Sequence, residues 1–255
     1  MTLRSKTFDR ISFSIHPAEE NMAIDEVLFQ SVYKGMRLST FRLYAWDKPS
    51  ITIGYFQKSA NLNLSLCKDH NIPVIRRMTG GRAVYHHKEL TYSIIFKGKE
   101  SIEKHKKRLF RELSDIILSG LKEMGVEGVL SSKTQGEAKN PNCFQTTSLC
   151  EIMSPEGKKL VGSAMLVQNG IIIMQGSIPL SDSYQQISYY LNRSTDMGSQ
   201  EIGDWVIDQG VIKAFLNGVQ EEINLSPSKL TSTEEKDVKD LIESKYQRED
   251  WNFRR

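Results

Sequence analysis

Apolar and polar positions alternate or recur along this chain in runs that divide it into elements. Arg10 to Ile15 alternates and predicts a first strand. Pro17 to Tyr33 follows as a helix, because Met22, Ile24, Val27, Leu28 and Val32 recur near helical spacing and Pro17 suits a first turn. Thr40 to Trp46 and Ser50 to Tyr55 predict two strands around an Asp47-Lys48-Pro49 turn. A short helix over Leu62 to His70 places Cys67 on its inner side. Two strands, Val74 to Arg77 and Ala83 to His86, flank a Gly80-Gly81 turn, and Glu89 to Lys97 continues as an apolar-rich strand.

The strongest helical stripe is Leu109, Leu113, Ile116, Ile117 and Leu121, within a helix expected over Ser101 to Met124 and ended by Gly125. Ser131 to Asn142 is polar and reads as a surface loop. Strands are expected at Cys143 to Met153, Lys159 to Gln168 and Ile171 to Pro179, with hairpin turns at 154–157 and Asn169-Gly170. Helices follow at Ser181 to Leu191, at Asp204 to Ile223 with Val206 on its apolar side, and at Ser232 to Lys245; a link over Leu225 to Lys229 joins the last two. Mixed, largely antiparallel strands with interspersed helices predict an α+β fold. The division expected is a main domain over 1–224 and a short helical C-terminal extension over 225–255, whose end, Trp251 to Arg255, is aromatic and basic.

Composition narrows the class. The 255 residues carry 39% hydrophobic and 25% charged positions, ordinary for a soluble globular protein. A formal charge of +3 is too mild to imply nucleic acid and suits an acidic protein partner. Three cysteines make no disulfide framework and fit a reducing compartment. The polar start lacks the apolar core of a signal peptide, and no apolar run approaches a membrane span. A cytoplasmic location, with no membrane and no nucleic acid as partner, is the expectation.

Four groups could carry chemistry. Cys143, at a loop-to-strand junction, is either a thiolate nucleophile or a small half-buried hydrophobe. Cys150 lies an odd number of positions later, on the opposite face of any continuous strand, so the two are not expected to act together. Lys159 and Ser163 would share one strand face; Lys159 either points inward toward an anionic partner or is an exposed hairpin lysine beside Lys158. Within each of the pairs Arg76/Arg77 and His86/His87, one member is expected inward, the arginine for a carboxylate or phosphate. No HxxxH or CxxC spacing suggests a metal site.

The stretch RRMTGGRAVYHHKELTYSII (Arg76 to Ile95) resembles the signature of the lipoate–protein ligase and octanoyltransferase family, of the biotin/lipoate ligase fold. NMAIDEVL (Asn21 to Leu28), WDKPSITIGYFQ (Trp46 to Gln57) and GKKLVGSAMLVQNGIIIMQGSI (Gly157 to Ile178) fit the same family. The resemblance runs from about Ser12 to Leu191 and implies a catalytic domain similar to class II aminoacyl-tRNA synthetases. CFQTTSLCE (Cys143 to Glu151) looks like the block of the cysteine-dependent octanoyl-[acyl carrier protein]:protein N-octanoyltransferase branch, whose first residue is the nucleophile. Cys150 stands where an aromatic residue would be usual.

The resemblance implies octanoyl transfer from octanoyl-acyl carrier protein, through a Cys143 thioester, to a lysine of a lipoyl-carrier protein, either glycine cleavage H protein or a dehydrogenase lipoyl domain. Lys159 would serve Cys143. Arg77, Thr79, Gly80, Gly81, His86, Ser163 and Ala164 would bind the acyl group, with Val84 and Tyr92 available for its apolar slot. No cofactor or metal would be needed. The alternatives are an ATP- and Mg-dependent lipoate–protein ligase and a non-catalytic module that binds acyl groups or carrier proteins.

Overall fold

A computed structural model describes residues 3–4, 6–98, 105–132, 141–143, 150–192 and 206–255. In chain order these form β1 (Thr7–His16), α1 (Ala18–Tyr33), β2 (Ser39–Trp46), β3 (Ser50–Ile53), α2 (Leu64–Asp69), β4 (Val74–Arg76), β5 (Val84–His86) and β6 (Glu89–Lys97). Then come α3 (Lys106–Glu123), β7 (Val129–Leu130), β8 (Ile152–Met153), β9 (Gly162–Gln168) and β10 (Ile171–Pro179). The chain continues with α4 (Ile187–Tyr190), α5 (Gln209–Glu222), β11 (Asn224–Ser228), α6 (Ser232–Leu241) and α7 (Glu249–Asn252). The α+β class and the mixed sheets expected from the pattern are what the chain adopts.

A six-stranded sheet in the order β11-β1-β2-β6-β10-β9 is the frame. Side chains alternate across it, as the two-residue period requires. Phe41, Leu43, Tyr92, Ile94, Phe96, Ile172 and Met174 join one apolar core with the inner faces of α3 and α5. Tyr44, Ile95, Ile171 and Ile173 join the other with α1, Val238 and Tyr246. The helices α3 and α5 cross closely because Gly120 and Gly218 carry no Cβ: one on Gly218 would strike the Ser119 carbonyl.

Several elements differ from expectation. The strands beside Gly80-Gly81 are not a hairpin: β4 and β5 each pair with β3, in parallel and antiparallel register, in the order β4-β3-β5. The glycine segment therefore arches over β3. The link expected at Leu225 to Lys229 is largely β11, parallel to β1 at the sheet edge. Between Cys143 and Met153, 144–149 lie outside the described residues, and the described strand is only Ile152–Met153. Cys150 has φ +66°, which breaks extended alternation at that point. The helix of 204–223 begins at Gln209, and Val206 before it is 78% exposed rather than apolar-packed.

Candidate active site

The cleft lies where β5, β9 and β10 meet Trp46, Arg77 and Cys143. About 360 Å³ of empty space is lined chiefly by Trp46, Val84, His86, Cys143, Ser163 and Gln175, with Arg77, Ala164 and Gly162 beside them.

Cys143 is held by backbone. Its N–H donates to the Ala83 carbonyl at 3.1 Å, and the Ala83 N–H donates to the Pro141 carbonyl at 2.9 Å, so 141–143 runs beside the start of β5. The thiol is buried. Lys159 is buried too, at 3% exposure, which removes the exposed-hairpin alternative. Its Nζ lies 3.8 Å from Cys143 Sγ, donates to the Cys143 carbonyl at 3.0 Å, and pairs with Glu151 Oε1 at 2.9 Å. The left-handed backbone at Cys150 immediately precedes Glu151. Cys150 itself is half-buried, its N–H bonded to the Ser131 carbonyl.

The expected common strand face for Lys159 and Ser163 is not how the two converge. β9 starts only at Gly162, and Lys159 forms an isolated bridge with Met153. Ser163 reaches the cleft from β9 and shares a hydrogen bond of 2.8 Å with Tyr92, whose phenol sits against Gly176. Burial pushes the Tyr92 hydroxyl well above its usual range. Tyr92 thus supports Ser163 and does not line the cleft itself.

Of the two arginines, Arg77 is at the cleft, but it meets no carboxylate among the described residues. Its guanidinium donates to Thr79 Oγ1, to the hydroxyl and carbonyl of Thr52, and to the carbonyls of Gly80 and Arg82 at 2.7 and 2.9 Å. Burial holds its pKa down to about 10. Arg77 is the internal strut of the glycine arch. Gly81 has φ +91°, and a Cβ there would press on that guanidinium. A Cβ on Gly54 would overlap the Gly81 carbonyl, so the β3 end and the arch approach to backbone contact. Thr79, Gly80 and Gly81 therefore stand behind Arg77 rather than among the cleft-lining side chains. Arg76 points away, under the C-terminal residues.

His86 faces the cleft; His87 does not line it. Trp46 stacks on the His86 ring, centroids 3.9 Å apart and planes at 15°. One ring nitrogen meets Thr52 Oγ1 at 2.7 Å and the other Glu89 Oε1 at 2.8 Å. Glu89 also accepts from Trp46 Nε1 and Ser177 Oγ. Beneath, Asp25 of α1 accepts from Arg42, Tyr44, Ser93 and Gln175, and Gln175 Oε1 accepts from Thr79. Glu151, Glu89, Asp25, Gln175 and Trp46 have no role legible in local sequence pattern. Asp25 and Trp46 lie in segments already singled out, and Glu151 closes the cysteine block, which was the available signal. Among the described residues no cluster of three or more His, Cys, Asp or Glu is placed to hold a metal.

Residues 17–213 match the family described as Lipoyl protein ligase A/B catalytic domain. The chain belongs to this family. Among its curated relatives is Octanoyltransferase LipM of Halalkalibacterium halodurans, 33% identical over 92% of this chain and 94% of that protein. Another is Octanoyltransferase LipM of Bacillus cereus, also 33% identical, covering 92% and 94%. The fold is shared with the putative lipoate protein ligase Ta0514 from T. acidophilum with bound lipoic acid, at TM-score 0.77, 23% identity, and coverage of 99% and 100% of the two chains. The enzyme is an acyltransferase of the lipoylation family, and no helix among its described residues is long and apolar enough to cross a membrane.

Proposed function

We propose that the protein transfers an octanoyl group from octanoyl-acyl carrier protein, through a thioester on Cys143, to a lysine of a lipoyl-carrier protein. The carrying observation is the Cys143–Lys159–Glu151 cluster at the cleft, read together with relatives that are octanoyltransferases over nearly their whole length.

The ammonium of Lys159, 3.8 Å from Sγ, is placed to stabilise negative charge that develops at the reacting sulfur and carbonyl. The thiolate adds to the donor thioester carbonyl. The oxyanion collapses, the C–S bond to the carrier breaks, and the carrier thiolate takes a proton. In the second half a neutral acceptor amine adds to the Cys143 thioester, loses a proton, and expels the thiolate. An amide lies downhill of a thioester, so the activation is already in the donor and neither half-reaction calls for a nucleotide. Glu151 keeps Lys159 in register by pairing with its ammonium at 2.9 Å. Val84, Trp46 and Ala164 offer apolar contact to the chain, with Arg77, His86 and Ser163 at its carbonyl end. Thr79, Gly80 and Gly81 act through Arg77.

The test is intact-mass spectrometry after mixing with octanoyl-acyl carrier protein, with and without ATP. The expected result is an octanoyl adduct on wild-type protein without ATP and none on Cys143→Ala. Full transfer by the alanine variant, or strict dependence on ATP and Mg, would overturn the reading.

A further inference from the structure

The reaction leaves the aromatic and basic end of the chain without a role, and the fold gives that end a specific seat. Trp251 Nε1 donates to the Arg76 carbonyl at 2.9 Å and the Arg76 N–H donates to Asn252 Oδ1 at 2.9 Å, so the final helix is clipped to β4. Beyond it the Arg254 guanidinium lies 4.0 Å from the Trp251 ring centre and 4.1 Å from that of Tyr55. Arg255 lies 5.4 Å from the Phe56 ring, which is 70% exposed. Lys58 is exposed beside them.

This patch presents the basic side chains of Arg254, Arg255 and Lys58. Neither Arg254 nor Arg255 pairs with a carboxylate among the described residues, and Asp250 is engaged by Arg248 at 2.9 Å. Beneath them Arg76 is fully buried. Among the described residues its guanidinium donates only to the carbonyls of Gly54, Tyr55, Gln57 and Trp251, and its Nη2 has no hydrogen-bond partner. Burial first, then Arg254 and Arg255, hold its pKa down to about 10. The patch is also continuous with the cleft rim. Gly54 abuts Gly81, and Gln57 Nε2 donates to the Pro141 carbonyl at 3.2 Å, two residues before Cys143.

We infer that Arg254, Arg255, Lys58 and Phe56 form the docking surface for the acyl donor, an acidic carrier protein that presents its thioester on a phosphodiester-linked arm. The inference rests on the transferase reading and names the partner of that site. An acceptor lysine has only its own side chain with which to reach Cys143, so the acceptor must sit over the cleft. A donor with a long thiol arm can dock beside the cleft and thread the arm inward, and the patch connects to the cleft through Gly54 and Gln57. Exposed arginine forks match both carboxylates and the arm's phosphate, and an exposed phenylalanine among them offers an apolar anchor.

The experiment uses the full chain with Arg254→Glu and Arg255→Glu together. Cys143 acylation is followed by intact mass against donor concentration, beside acylation by the small thioester octanoyl-pantetheine and discharge of the preformed acyl-enzyme to a lipoyl domain. The half-saturating donor concentration should rise about tenfold, with a weakened salt dependence, as expected when rim charges are reversed. The other two rates should stay within twofold, and the Arg254→Lys/Arg255→Lys pair should retain most of the donor affinity. An unchanged donor dependence overturns the proposal. So does a loss confined to discharge, which would assign the patch to the acceptor, or an equal loss with octanoyl-pantetheine, which would make the arginines merely structural. If wild-type protein forms no adduct, the transferase reading fails by itself. Fluorescence anisotropy with labelled donor carrier protein then decides the docking: weaker binding to the glutamate variant upholds it, and equal binding overturns it.

Discussion

At Cys143 the proposed nucleophile role rests on one lysine. A buried thiol with no charged neighbour behaves as a small hydrophobe, whereas Lys159 Nζ lies 3.8 Å from this one. Lys159 is itself buried and depends on Glu151, so the three form a unit. Lys159→Met keeps much of the side-chain bulk and removes the charge. It should slow Cys143 acylation by about a hundredfold, in the range for losing one positioned charge or proton donor. Single-turnover mass measurements check this, and the same variant should react more slowly with iodoacetamide at neutral pH. Equal rates in both assays would make Lys159 only a packing residue. That Lys159 is inward was not legible from local pattern, since it follows a hairpin and precedes β9. Its inward position comes from the bridge to Met153 and from Glu151, both set by tertiary contact.

Among the elements, the glycine arch shows how backbone contact substitutes for side chains. Gly54 and Gly81 touch because Gly54 has no Cβ, and Arg77 fills the space beneath Gly81 by donating to the arch carbonyls. Gly54→Ala should force the arch outward and cost about 1–3 kcal/mol of stability, as overpacking does. Acylation should fall further than stability alone explains; thermal melts and acylation rates measured on the same preparation separate the two. The helix α6 makes a second case. Thr231 and Glu234 form a capping box, and Arg37 grips Glu234 with hydrogen bonds of 2.6 and 2.7 Å. Burial alone would raise the Glu234 pKa, but the hydrogen bonds from Arg37 and the Thr231 backbone outweigh it and hold it to about 2. The folded value lies below the unfolded one, so this stabilisation is fully present above about pH 4.5 and is lost as pH falls toward 2. After screening it contributes on the order of 1–2 kcal/mol. Denaturant titrations should show wild-type stability falling through that window and Glu234→Gln, already weaker at pH 7, falling less.

The chain as a whole closes on itself at Arg76. Its backbone N–H and carbonyl are bonded by Asn252 and Trp251, 176 and 175 residues away in sequence. The same strand leads into the arch, so Trp251 and Asn252 brace the strand that carries it. Asn252→Ala should leave the buried Arg76 N–H unsatisfied and cost about 1–3 kcal/mol. It should also lower acyl transfer, read as a reduced melting temperature together with a reduced acylation rate. An unchanged melting temperature would mean that the clip carries no load. This seat for Trp251 to Arg255 is a contact between distant segments, and no spacing within the chain announces it.

Periodicity places α3, because a 3.6-residue apolar repeat survives wherever one face is buried, whereas β6 and β10 are legible as apolar runs and are buried on both faces. The sequence by itself also determined the family, through the residues around Gly80-Gly81 and the block that begins at Cys143, and it supplied the cysteine, lysine and histidine at the cleft. Tertiary structure alone decided that the glycine segment arches over β3 instead of turning a hairpin. It also decided that Arg77 braces this arch instead of meeting an anion, and that Glu151, Glu89 and Asp25 stand behind Lys159, His86 and Gln175. The physical reason is the same in each case. A buried charge or backbone group takes its partner from whatever segment the fold brings within hydrogen-bond distance, and local pattern carries no information about which segment that is.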